Sequence, residues 1–173
     1  MKNSLYYPQV SLSDEQIFTE IKKERDDIGY YSLPYVDTTN LKARLDSLSF
    51  SQKQIAVIGI GGSTLGTYAI YNFMKYNKQH NKTLKKELYF FESTDPVNLN
   101  GTIAQLNLED TLFIVISKSG TTIETISIFK YLMSITKIDK SNLLVITEDD
   151  SKLNTFAKSN EINSFEIPKN VGG

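Results

Sequence analysis

The sequence contains no cysteine and a single histidine, which restricts the chemistry that the chain can perform. The absence of cysteine excludes a disulfide scaffold, thiolate catalysis and cysteine-ligated metal sites, and it fits a cytosolic protein. A formal net charge of -1 argues against binding nucleic acid through bulk electrostatics. No apolar run approaches the roughly 18 residues of a membrane span, and the first residues do not resemble a signal peptide. We therefore expect neither nucleic acid nor a membrane as a partner.

The length and composition of the sequence predict one folded domain preceded by an N-terminal arm. A chain of 173 residues, 40% hydrophobic and 23% charged, is long enough for a core and excludes wholesale disorder. For residues 1–52 we predict a polar, helical arm with a packing role. Ser13 is a candidate N-cap for a helix that extends towards Gly29, and a second short helix is predicted after Asp37.

From residue 53 to residue 173 the pattern changes to strands that alternate with helices. Apolar strands are predicted at residues 54–61, 87–92, 111–117, 143–147 and 164–168. Strands that are apolar along their whole length need cover on both faces, which predicts a parallel sheet in a three-layer α/β sandwich. The strand order that we expect is 2-1-3-4-5, as in flavodoxin-like folds.

A glycine-rich loop, Gly59–Gly66, directly follows the first predicted strand. The first predicted helix after residue 53 begins in this loop. Glycine lets the backbone approach a ligand closely, and the free N–H groups of a helix N-terminus favour an anion. Ser63 and Thr64 add hydroxyl donors. The spacing is neither that of a dinucleotide-binding loop nor that of a Walker loop, because no Gly-Lys-Ser/Thr follows. The loop fits either a tight turn or an anion site.

A second polar loop, Ser117–Thr122, follows the third predicted strand and also begins a helix. Hydroxyl groups and backbone amides can hold a phosphomonoester without a metal. Thr121 and Glu124 also have the spacing of a capping box, so part of this pattern is explained by helix capping.

The two loops gain significance together, because strands one and three are neighbours in the expected order. Ligands of open parallel sheets bind beyond the carboxyl ends of the strands, at the point where the order reverses. Positive charge is sparse there, which favours a small phosphorylated metabolite over a polyphosphate nucleotide. No metal and no cofactor is predicted. The residues predicted to bind the phosphate are Gly62, Ser63, Ser117, Lys118, Ser119, Thr121 and Thr122.

The two loops resemble those of a known family. VIGIGGSTLG (57–66) followed by ISKSGTTIET (116–125) is similar to the sugar isomerase (SIS) domain of the glucose-6-phosphate isomerase family. IPKNVGG (167–173) looks like the start of the Gly-Gly-Arg-Phe-Ser signature of that family. The resemblance covers about residues 50–173, and it implies the same fold that the strand pattern predicts.

The resemblance also implies an activity and residue roles. Members of the family interconvert glucose 6-phosphate and fructose 6-phosphate in glycolysis and gluconeogenesis, in the cytoplasm, as homodimers. Ser63 matches the serine after the family's Gly-Gly pair, and Ser117, Ser119 and Thr122 match its second phosphate loop. Glu124 matches an acid that helps to orient the catalytic histidine of the family.

Several functional residues of the family have no counterpart here. Its arginine would follow Gly173, and its catalytic glutamate, histidine and ring-opening lysine lie further along. His80 occupies a polar loop and is expected at the surface. We therefore expect this chain to be the N-terminal domain of a longer enzyme. By itself it should bind sugar phosphate weakly and not isomerise it.

Two alternatives belong to other classes. A free-standing SIS module with a sensory or regulatory role would bind the same sugar phosphate and would be fused to a DNA-binding or other partner domain. No helix-turn-helix or basic patch precedes this domain. A nucleotide-binding Rossmann-type module would bind NAD or ATP at Gly59–Gly66, although the glycine spacing does not match.

Overall fold

The structure, a computed structural model, describes residues 13–25, 27–76 and 86–171, which form two compact units. One unit holds the described residues up to Asp37 together with residues 169–171, and the other holds Thr38–Pro168. Residues 38–52 make most of their contacts with the second unit. The predicted boundary between an arm and a domain after residue 52 stays a prediction. No helix in the described part of the chain is long and apolar enough to span a membrane. His80 lies outside the described residues.

The first unit contains helix α1, Asp14–Glu24. Its predicted N-cap is confirmed, because the Ser13 hydroxyl accepts a hydrogen bond from the Gln16 N–H at 3.3 Å. The predicted extension towards Gly29 is wrong. The helix ends at Glu24, with Arg25 as its C-cap, and the N–H groups of Asp27 and Ile28 both donate to the Glu24 carbonyl, at 3.1 and 2.9 Å.

The second unit is built on a five-stranded sheet in which every pair of neighbours is parallel. The strand order is β2-β1-β3-β4-β5, so the predicted fold class and order are confirmed. Pairing of Ile58 with Val115 brings the carboxyl ends of β1 and β3 side by side. The strands are β1 Gln54–Ile58, β2 Glu87–Phe91, β3 Thr111–Ile116, β4 Leu143–Thr147 and β5 Asn163–Glu166.

Helices cover both faces of this sheet. The helices of the second unit are α2 Thr39–Ser47, α3 Leu65–Tyr76, α4 Pro96–Ile103, α5 Ile123–Ile135 and α6 Lys152–Ser159. Phe91 belongs to the buried cluster that contains residues of α5 and α6, including Leu132 and Ala157. Phe90 points to the opposite face, since successive strand residues alternate. There its ring meets that of Tyr68 of α3 at 4.9 Å, so α3 lies across the sheet from α5.

Candidate functional site

The candidate site lies where β1 and β3 end, and its first component is the loop after β1. A 3₁₀ turn, Gly61–Ser63, leads into α3. A Cβ atom placed on Gly59 would lie 3.0 Å from the Cβ of Ser63 and 3.1 Å from the carbonyl oxygen of Ile116. The first loop therefore lies directly against the end of β3. Gly62 is exposed and Ser63 is partly buried.

The second component is the loop after β3, in which the hydroxyl groups form two pairs. Ser117 is 1% exposed, and its Oγ lies 3.0 Å from the Oγ1 of Thr122. The Oγ of Ser119 accepts hydrogen bonds from the N–H of Thr121 at 3.3 Å and from its hydroxyl at 3.0 Å. Ser119 and Thr121 are exposed. One pair thus faces inwards and the other faces solvent, and both lie on the loop that leads into α5.

The capping box predicted for Thr121 and Glu124 is not formed. Helix α5 starts at Ile123, and its N-cap is Thr122, which makes no side-chain capping bond. The Thr122 hydroxyl is turned towards Ser117 instead, and Thr121 is bonded to Ser119. Glu124 lies exposed in the first turn of α5, and no described residue forms a hydrogen bond or ion pair with its carboxylate. Its carboxylate is therefore not engaged in capping.

Backbone donors complete the site. No acceptor within the described residues takes the N–H of Lys118 or that of Ser119. Both amides precede the N-terminus of α5, where the helix dipole gives a partial positive charge. Free N–H groups and hydroxyls at a helix start can hold an anion such as phosphate. Among the residues that the structure describes, no group of three or more His, Asp or Glu could hold a metal ion.

The lysine of the second loop is paired with an acid. The Nζ of Lys118 lies 3.5 Å from the Oε1 of Glu148, and the two side chains are 30% and 24% exposed. Glu148 follows β4 directly, so it reaches the same edge of the sheet as both loops. Glu148 is not among the residues that the sequence predicts for the site. Its position after the fourth strand was the one signal for it, and strand order is needed to interpret that signal.

Comparison with known proteins finds one matching family model and several similar curated sequences. The model of the phosphoglucose isomerase family matches residues 38–173. The glucose-6-phosphate isomerase of Campylobacter jejuni is 36% identical over 187 aligned residues, which cover 100% of this chain and 44% of that protein. That of Carboxydothermus hydrogenoformans is 31% identical, over 88% of this chain and 36% of the relative. The chain thus spans less than half the length of these curated relatives.

Solved structures show the same fold. A crystal structure of a hypothetical protein from Thermus thermophilus has a TM-score of 0.73 and 24% identity, over 91% of this chain and 39% of that chain. The glucose-6-phosphate isomerase from Chlamydia trachomatis has a TM-score of 0.58 and 22% identity, over 99% of this chain and 29% of that chain. At these identities the likeness concerns the fold alone.

Proposed function

The chain belongs to the phosphoglucose isomerase family, and from that premise we propose that it holds the substrate phosphate in an aldose–ketose isomerase. The substrates are glucose 6-phosphate and fructose 6-phosphate. The observation that carries the proposal is the adjacency of two hydroxyl-rich loops at the ends of β1 and β3. Free amides of the second loop lie on the same edge of the sheet.

The phosphate is held by hydroxyl and amide donors. Ser63 reaches it from the first loop, alongside the backbone at Gly62. The second loop supplies both of its hydroxyl pairs, and each pair can turn a proton towards a phosphate oxygen without losing its internal contact. Lys118 contributes chiefly its backbone N–H, because its ammonium group is paired with Glu148. Hydrogen bonds to a charged group contribute about 1.5–3 kcal/mol each, so a few donors suffice for binding. The residues of this set are Gly62, Ser63, Ser117, Lys118, Ser119, Thr121 and Thr122.

Isomerisation needs more than phosphate binding. A base must move a proton between C1 and C2 of the sugar through an enediol, and other groups must open the ring. In this proposal those groups, together with an arginine that stabilises the developing negative charge, lie in the part of the relatives that this chain does not span. Glu124 orients the catalytic histidine, and its unengaged carboxylate is suited to that role. The 173-residue chain alone binds sugar phosphate weakly and is inactive.

The complete protein, as we propose it, is a cytoplasmic homodimer that acts in glycolysis and gluconeogenesis without a cofactor. These assignments follow from the family resemblance and concern a protein of the relatives' full length. Sedimentation and activity measurements on a protein of the full length of the relatives would test them. A cofactor requirement, or an active monomer, would contradict them.

A titration of the 173-residue chain with glucose 6-phosphate tests the phosphate site. We expect amide chemical shifts to change at Gly62–Thr64 and Ser117–Thr122. Ser119→Ala or Ser63→Ala should weaken binding by about 10- to 100-fold, as expected for loss of one charged hydrogen bond. Ser134→Ala is the matched control, since this exposed hydroxyl donates only to the Tyr131 carbonyl within α5. Equal affinity in all four proteins would refute the site, and shifts caused by NAD alone would favour the nucleotide alternative.

A further inference from the structure

A chain of buried hydroxyl groups links the start of α6 to the second loop. The Thr147 hydroxyl donates to the carbonyl oxygen of Lys118 at 3.2 Å. The Oγ1 of Thr147 also lies 2.7 Å from the Oγ of Ser151, and the Ser151 oxygen accepts the N–H of Asn154 at 2.9 Å. Thr147 is 1% exposed and Ser151 is 6% exposed, so the bond between their hydroxyls is shielded from water.

The direction of each of these hydrogen bonds can be assigned. A hydroxyl has one proton to donate, and Thr147 gives its proton to Lys118. The Ser151 hydroxyl must therefore donate to Thr147. The bonds then run in one direction, from the Asn154 amide through Ser151 and Thr147 to the Lys118 carbonyl. Bonds aligned in this way polarise one another and are individually stronger than isolated bonds.

The last bond determines where the next amide points. The peptide between Lys118 and Ser119 is trans, so the Lys118 carbonyl and the Ser119 N–H point in opposite directions. The carbonyl is held towards the β4–α6 junction by Thr147 and also by the Glu148 N–H at 3.1 Å. The Ser119 N–H therefore faces away from that junction, and nothing in the described ranges accepts it.

We propose that Thr147 and Ser151 are positioning residues for the phosphate, acting through the Lys118–Ser119 peptide. The inference rests on the proposed function, because it assumes that the phosphate binds at the second loop. Thr147 orients the peptide so that the Ser119 N–H points at the ligand. Ser151 connects Thr147 to the positive end of α6, and this polarises the peptide and makes the Ser119 N–H a better donor. Neither hydroxyl touches the phosphate.

The test is Thr147→Val, which removes the hydroxyl while keeping the branched shape. The Glu148 N–H still holds the Lys118 carbonyl, so we expect affinity for inorganic phosphate and glucose 6-phosphate to fall by only about three- to tenfold. Thr147→Ser should restore the affinity. The Ser119 amide proton should shift upfield in the ligand-free Thr147→Val protein, because its peptide is less polarised. Ser151→Ala, which breaks the chain one step further away, should cause a smaller change of the same sign.

Thr155→Val is the matched control, because its hydroxyl donates only to the Ser151 carbonyl at 3.2 Å. If Thr147→Val lowers the stability but leaves the phosphate affinity at the wild-type value, then Thr147 has only a structural role. That result would overturn the inference. Should Thr147→Val not fold, Ser151→Ala is compared with the wild type instead, because it removes the bond between the two hydroxyls and leaves Thr147 in place. Failure of the wild-type chain to bind phosphate would instead refute the proposed function. The ligand-free Ser119 shift would then still decide whether Thr147 orients this peptide.

Discussion

Gly120 is the residue of the second loop at which a single added methyl group should do the most damage. Its φ is +66°, a backbone conformation that side chains other than hydrogen disfavour. A Cβ atom there would lie 2.8 Å from the Cβ of Ser151 and 2.9 Å from both the Cβ and the backbone nitrogen of Leu153. The backbone of Leu153 cannot move aside as the end of a long side chain could. Gly120→Ala must therefore displace either the loop or the start of α6.

Three physical terms set the size of the effect. The left-handed conformation costs alanine about 1–2 kcal/mol. Overpacking against a rigid neighbour typically costs about 1–3 kcal/mol. Alanine also restricts the unfolded chain, which offsets about 0.4–1 kcal/mol. We expect Gly120→Ala to lower the free energy of unfolding by about 3 kcal/mol in total. At a slope of about 2 kcal/mol per M, the urea midpoint falls by about 1.5 M.

Alanine substitutions at two other glycines measure the backbone strain and the effect of alanine in the absence of a clash. Gly61 also has a positive φ, +58°, but a Cβ there would meet no atom within 4 Å, so Gly61→Ala tests the strain alone. We expect it to cost about 1 kcal/mol. Gly66 lies in the first turn of α3, also with open space around it. Gly66→Ala should stabilise the chain by about 0.5 kcal/mol, because alanine favours a helix.

Urea unfolding of the three variants, followed by circular dichroism, measures these differences. Gly120→Ala should be the least stable variant, and it should also bind glucose 6-phosphate more weakly, because the displaced loop carries Ser117 and Ser119. The reasoning would be refuted if Gly120→Ala were no less stable than Gly61→Ala. That result would mean that the second loop does not pack against α6 as described.

Two further predictions concern regions outside the site. The hydroxyl and N–H of Ser141, together with Lys137, lower the pKa of Asp139 from 3.8 to about 2. The stability that this carboxylate contributes is thus complete above pH 3.8 and is lost as the pH falls through about 2. NMR titration of the Asp139 carboxyl checks the value, and Ser141→Ala should raise it; an unchanged pKa would contradict the cause. Phe113 of β3 is 0% exposed, and Phe113→Ala should lower the free energy of unfolding by about 3–5 kcal/mol. A loss below about 1 kcal/mol in urea unfolding would show that this position is not in the core.

The sheet could be predicted from the sequence because its signals are local. Runs such as Leu143–Ile146 are apolar throughout, and each is bounded by polar or glycine residues. Such a run needs cover on both faces, which already implies a parallel sheet between helix layers. Helix boundaries were less accurate, as α1 shows. No glycine or proline marks its end at Glu24, since residues 25–28 contain neither.

The candidate site was predictable only in part. Hydroxyl groups and glycines after two strands are visible in the sequence, and the strand order places them together. The sequence does not show which groups those hydroxyls form hydrogen bonds with. Thr121 and Glu124 have the spacing of a capping box, yet Thr122 and Thr121 bond to Ser117 and Ser119 instead. A spacing rule describes one of several competing bonds, and in the folded loop the two hydroxyl pairs form instead of the capping box.

The sequence by itself determined the class of fold, the two loops and the family, because each depends on residues that are close along the chain. Only the tertiary structure decided which groups support those loops. Thr147 meets Lys118 across 29 positions of sequence, and Lys118 pairs with Glu148, because β3 and β4 are neighbours in parallel register. Contacts of that kind depend on strand register and helix placement. Those in turn depend on the packing of the whole core, which no local pattern encodes.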